Sequence, residues 1–269
     1  MINTTGRKNC DDGISESIGF LLIFTMVIVG IGLVTLYGYP MLLREQTSAD
    51  QQIMQKSMIV LQNDVKSLTF KTVPYKETML NTGSGSLTVY PSDPSLTATP
   101  ISLITIRDPA VAQPYVENFR PGDLRYSSTS AGVDVSLQNG AVVTRNMVEP
   151  GSVMLAQPRW FYDATTNTMV INLISFNSST KLSKAGVGTV QMRMNQTNFS
   201  EIKPTGNTVC MKYEFPDAGQ NYEIAWDNYF IQTMKMSKGG GNCGADEYRL
   251  PVSTGILVIK KFDVEIVAL

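Results

Sequence analysis

Between Ser17 and Leu43 the chain carries no charged side chain, and Ile18–Leu43 is apolar on every face that a helix would present. That stretch limits the fold more than any other feature of the sequence. As a helix rising about 1.5 Å per residue it reaches roughly 39 Å, against a hydrocarbon core about 30 Å thick. It can span a bilayer. A core helix of a globular domain is the competing reading, but a run this long and apolar all round fits a membrane better. A cleaved secretory signal would have an apolar region of about 7–15 residues ending at a small-residue cleavage site, and neither holds here.

Composition narrows the chemistry. With 269 residues there is room for an anchor and one or two compact domains. The 22 basic and 23 acidic residues nearly cancel, so no basic field is available to neutralise phosphates and no nucleic acid is expected as a partner. Nor does this balance match the strongly acidic surface expected in saturated salt. Histidine is absent. That removes Ser/His/Asp and Cys/His nucleophilic machinery and all imidazole metal sites, and no cofactor is expected.

Ahead of the apolar run, Met1 to Gly13 is short and polar, carrying Arg7, Lys8, Asp11 and Asp12. The stretch Asp12-Gly-Ile-Ser-Glu-Ser-Ile-Gly-Phe20 resembles the class III signal of archaeal type IV pilin-like proteins. One position departs from the family pattern, since Asp12 stands where Arg or Lys is common. The resemblance implies that a prepilin-type peptidase cuts between Gly13 and Ile14 and leaves the apolar helix on the mature chain. It also makes a role conceivable for Glu16, meeting the free amine of a neighbouring subunit. A plain carboxylate complementing the helix dipole is the simpler role for Glu16. Gly151 to Tyr162 and the closing strands are similar to an uncharacterised archaeal pilin-like family, which brings no catalytic motif.

Along the helix, Gly19, Gly30, Gly32 and Gly38 leave notches through which helices can approach one another, although glycine is also common in membrane helices generally. Pro40 removes a donor and crowds the carbonyl of Leu36, so the helix should kink or open around Gly38-Tyr-Pro40. Tyr37 and Tyr39 sit where an interfacial aromatic belt would lie. Beyond Arg44, the spacing of Met54, Met58, Leu61, Val65 and Leu68 predicts a polar helix with one apolar stripe, closed by Pro74. The stripe is too short for a coiled coil and should lie against the following domain.

The rest predicts an α+β protein in which that long helix precedes a mainly antiparallel, sandwich-like β domain with one short helix. The expected divisions are a leader at 1–13, a transmembrane or filament-core helix at 14–43, a stalk helix at 44–73 and an extracellular β domain at 74–269. Strands are expected at 86–90, 101–106, 132–137, 141–144, 152–155, 168–174, 189–194, 209–215 and 256–267. Turns are expected at 81–85, 91–94, 121–123, 139–140 and 239–242, with Asn139-Gly140 the clearest hairpin. Tyr222, Trp226, Tyr229 and Phe230 share a helical face, which predicts a short helix over 222–234 packed on the sheet. No glycine fingerprint for a nucleotide is present, and Gly239-Gly-Gly reads as a flexible loop.

If the leader leaves, Cys10 goes with it, and Cys210 and Cys243 remain as a pair 33 positions apart, suited to a disulfide. Two cysteines without histidine or a CxxC spacing are a poor zinc site. Asn177, Asn195 and Asn198 head glycosylation sequons. Among the acids, Asp246 and Glu247 are adjacent and would face opposite ways on a strand, whereas Asp263 and Glu265 would share a face. A solvated outer face is the favoured explanation for them.

The expected function is therefore that of a pilin-like cell-surface protein, a structural subunit or minor component of a type IV filament, meeting the membrane and other copies or pilin-like subunits through its N-terminal helix. No catalysis is expected. Two rivals are a single-pass anchored binding module that never polymerises and an ectoenzyme, such as a glycosidase, built on acid pairs.

Overall fold

The protein is described by a computed structural model covering residues 12–71, 73–96, 101–204, 208–215, 222–251 and 255–269, with side chains from Ser17 onward. Two units are distinguished, Met1–Ala49 and Asp50–Leu269. In the first, helix α1 (Asp12–Leu33) leads into one π-helical turn, Val34–Gly38, and then into helix α2 (Tyr39–Phe70). The proline explains the wide turn. Pro40 cannot donate to Leu36, and the helix re-forms its ladder one residue out of step, with Tyr39 N–H donating to Val34 O. The expected opening near Gly38-Tyr-Pro40 is there, on the N-terminal side of the proline.

The second unit begins within α2. Its strands are β1 (Tyr75–Tyr90), β2 (Leu103–Arg107), β3 (Val116–Phe119), β4 (Asp123–Ser128), β5 (Val133–Gln138), β6 (Ala141–Asn146) and β7 (Ser152–Ala156). Then follow β8 (Phe161–Asp163), β9 (Thr168–Asn177), β10 (Ser183–Ile202) and β11 (Cys210–Glu214), helix α3 (Glu223–Asn228) with a π turn at Tyr229–Thr233, and β12 (Ser237–Gly240), β13 (Cys243–Arg249) and β14 (Ile256–Ala268). The strands build a nine-stranded sheet, β7-β6-β5-β4-β1-β10-β14-β9-β8, and a five-stranded sheet, β12-β13-β11-β2-β3. Among the described residues β14 and β9 run parallel while the other pairs are antiparallel.

The period of two assigns each large-sheet residue to one of two cores. Met169, Ile171 and Leu173 of β9, with Leu257 and Ile259 of β14, face a core shared with Ile104, Met211 and Tyr213 of the small sheet and with Trp226 and Phe230. Ile174 and Phe176 of β9 and Phe262, Val264 and Ile266 of β14 point the other way, to a core closed by Met54, Met58, Leu61, Val65 and Leu68 of α2. All five members of the expected stripe are buried, each contributing about 1.5–3 kcal/mol. The domain is thus a layer of helix, a large sheet, and a layer formed by the small sheet and α3.

Asn139-Gly140 forms the hairpin between β5 and β6, with φ of 47° and 74° as a type I′ turn requires. Gln62 sits on the side of α2 that the pattern assigns to solvent, yet it is buried, and its Nε2 donates to Gly140 O at 2.7 Å and Gln157 O at 2.9 Å. Residues 81–85, expected as a turn, lie inside β1, where the register to β10 slips between Asn81 and Ser86. That bulge needs Gly85, because a Cβ there would stand 2.3 Å from the Tyr126 ring. The helix ends at Phe70, before Pro74 can act, and β10 is far longer than the 189–194 expected. Strands β3, β4, β8, β12 and β13 were outside the expected set. The short helix occupies its expected place, with Tyr222, Trp226, Tyr229 and Phe230 all buried.

Candidate functional site

The helix Ser17–Phe70 contains a stretch long and apolar enough to cross a membrane, and none of that stretch is buried within the chain. From Ser17 to Leu43 every residue is exposed except Gly38, which is half-buried. Phe20 and Met26 are each more than 70% exposed. Such a surface does not persist in water, because contiguous apolar patches of this extent mark contact with a membrane or another protein. Its threonine hydroxyls are turned onto the helix backbone. Thr25 Oγ1 donates to Leu21 O at 2.7 Å and Thr35 Oγ1 to Ile31 O at 2.8 Å, so neither hydroxyl asks for water. A Cβ added at Gly19, Gly30 or Gly32 meets nothing within 4 Å, so the notches are open. Tyr37, within the π turn, and Tyr39, next to it, are exposed. Gly13 and Ile14 lie in the first turn of α1, the side chain of Glu16 is outside the described residues, and so is Cys10.

Cys210 and Cys243 are joined as a disulfide, with Cα atoms 5.5 Å apart. Cys210 opens β11 as expected; Cys243, expected in a loop, opens β13 because the glycine run 239–241 ends β12 and, with Asn242, turns the chain into the next strand. The carboxylate of Glu247 lies close to both sulfurs, but bonded sulfurs are not thiolate ligands. Instead Glu247 accepts two hydrogen bonds from Arg107, at 2.8 and 2.6 Å, and one from Gly244 N–H at 2.7 Å. The Arg107 hydrogen bonds are the chief reason that its carboxyl is held below the usual range, against the opposing effect of burial.

Asp263 and Glu265 share a face but act separately. Asp263 accepts from Ser175 Oγ at 2.9 Å, from Asn195 Nδ2 at 2.8 Å and from Asn177 Nδ2. Glu265 is paired with Arg193, whose Nε donates to it at 2.9 Å. Asn177 also receives Ser92 Oγ, so this sequon is woven into the sheet, whereas Asn198 is exposed on β10. Asp246 is exposed while its neighbour Glu247 turns toward Arg107.

A polar cluster that sequence reasoning missed lies inside the domain. Arg125 pairs with Asp123 through Nε at 2.7 Å and is capped by the rings of Tyr90 and Tyr222, its centre 4.7 and 5.9 Å from theirs. Arg145 pairs with Asp134, the residue directly opposite it on the neighbouring strand, and also lies over Tyr222. Asp123 also accepts from Ser136 Oγ. These charges pin Tyr222, at the start of α3, to the large sheet. The available signal was the alternation Asp123-Leu-Arg125, but the same alternation describes a half-exposed strand.

Comparison with proteins of curated function and with solved structures gives no match to either. A family model described as a family of unknown function, DUF7289, matches residues 13–253, from the start of the apolar helix through β13. The chain therefore belongs to that family.

Proposed function

We infer that the protein is a pilin-like cell-surface component of an archaeal type IV filament or of its assembly, held in the membrane or in a filament core by its N-terminal helix. One observation carries this reading. Residues 17–43 are exposed around the whole circumference, while the stripe from Met54 to Leu68 is buried on its own domain. The first part is left for an environment outside the chain, and its apolar side chains, inward-turned threonine hydroxyls and open glycine notches suit lipid or copies of the same helix. The resemblance around Gly13-Ile14 supplies the route: a peptidase removes residues 1–13, Cys10 with them, and the β domain is exported with its Cys210–Cys243 bridge formed outside.

The test is twofold. Intact mass of protein from its native host should place the N-terminus at Ile14, and sheared cell surfaces should release the protein in long, sedimentable polymers. An N-terminus at Met1 together with extraction only as a detergent-solubilised monomer would favour the other reading, an anchored β domain that does not polymerise.

A further inference from the structure

Where α2 ends, it leaves part of the large sheet uncovered. Ile174 and Phe176 of β9 lie under the helix, but Asn172, two residues back on the same face, borders an open cavity of about 520 Å³. Phe70, the last residue of α2, also lines it, with Arg159, Trp160, Phe161, Val170 of β9 and Lys260 of β14. Its volume suits a small ligand of one or two rings.

The lining has an unbalanced charge. Arg159 and Lys260 are both cations, no acid lines the cavity, and neither forms an ion pair among the described residues. Lys66 on the last turns of α2 lies near enough to Arg159 for the two to repel, and it too has no ion pair among the described residues. Three cations without a counter-charge call for an anion. Two of them are held in place by rings: the Arg159 guanidinium stands 4.7 Å over Phe70, and Lys260 Nζ 5.7 Å over Phe199.

The remaining surface says what kind of anion. Phe161 is 56% exposed and presents an apolar wall of the size of a ring. Asn172 is 5% exposed, and its Nδ2 donates to Arg159 O, which fixes the backbone that carries the cation at the cavity. We propose that this cavity is a binding site for an acidic saccharide, with Arg159 and Lys260 on the acid group and Phe161 under the C–H face of the ring. An acidic peptide fits less well. Its backbone would need a free strand to pair with, and the edge strand here, β8, is only three residues long. The proposal does not depend on whether the protein polymerises.

The experiment uses the full-length protein in detergent micelles, titrated calorimetrically with trigalacturonic acid and a heparin-derived disaccharide, and with cellotriose and sodium sulfate for comparison. At least one acidic saccharide should bind, weakening severalfold between 20 and 200 mM salt, on the order of the screening change across that range. Binding should fall about fivefold or more in K260Q and in F161A. Both side chains sit at the cavity rather than in the core, and circular dichroism of each variant should match the parent. Failure of both acidic saccharides to bind, equal binding of cellotriose, sulfate binding as tightly as either saccharide, or unchanged affinity in both variants would each overturn the proposal.

Discussion

Replacing Gly30 or Gly32 by Leu separates assembly from anchoring, because the structure fixes what each change does within one molecule. A Cβ at either position meets no atom within 4 Å, so the larger side chain enters open space. Helix propensity even favours it, by roughly 1 kcal/mol per substitution. A lone anchor should therefore insert as well as the parent or better, since lipid tails accommodate the added bulk. If instead these notches seat neighbouring helices, each filled contact is overpacked at a cost of about 1–3 kcal/mol. That corresponds to roughly 5- to 150-fold in association per contact. A filament repeats the contact in every subunit, so polymer should fall well beyond the effect of one contact. The assay is expression of G30L and G32L in the host, with V29L as a control at an exposed, already bulky position. Membrane-inserted protein and sheared surface polymer are then quantified in parallel. Normal insertion with lost polymer supports assembly through this face; undiminished polymer in both variants would refute the reasoning.

Other consequences follow from the β domain and the helix. Ile28→Lys introduces a charge at the middle of the exposed apolar run, at about 3 kcal/mol against insertion, and should move the protein from membrane to soluble or degraded fractions in cell fractionation. Gln62→Leu leaves the carbonyls of Gly140 and Gln157 without their donor and should destabilise the β domain by about 1–3 kcal/mol in thermal unfolding, without altering membrane insertion. Cys243→Ser should cost about 3–4 kcal/mol by loop closure over 33 positions, and non-reducing peptide maps of the parent should recover both cysteines in one cross-linked peptide. Because Glu247 has its carboxyl depressed in the folded state, its contribution is present at neutral pH and is lost as pH falls through that lowered value. Arg107→Gln should blunt this part of the acid sensitivity in pH-dependent unfolding. Glycopeptide mapping should find sugar at Asn198 and none at Asn177, whose Nδ2 is engaged by Asp263.

What could be read in the sequence is what local periodicity encodes. The charge-free run and the 54–68 stripe each repeat within a few residues, and both helices form where they do. The hairpin at Asn139-Gly140 is equally local, since it needs two residues with positive φ. For β5 the strand itself is legible at 132–137, but the fate of its polar face is not. In β5 all six residues are buried, Asp134 and Ser136 included, because the alternating face meets Arg145 and Asp123 rather than water. The glycine run at 239–241 suggests only a loop, although one strand ends in it and another begins two residues after it. The cavity escaped for a different reason. Phe70, Arg159 and Lys260 stand far apart in sequence, and only the parallel pairing of β14 with β9, together with the end of α2 at Phe70, gathers them.

The place of β14 in the sheet has a consequence for how the protein is made. The strand lies inside the sheet between β10 and β9, third from the β8 edge, yet it is the last of the nine to be synthesised. The stripe on α2 ends at Leu68, and β14 ends at Ala268. At 5–20 residues per second, roughly 10–40 s separate the two at the ribosome. Through that interval Met54, Met58, Leu61 and Val65 have only part of the sheet that finally covers them, while the preceding apolar helix has already emerged. Pairings between distant segments also close slowly once the chain is complete. The apolar helix therefore emerges before the domain is complete, and the stripe on α2 gains its full cover only when β14 pairs with its two neighbours.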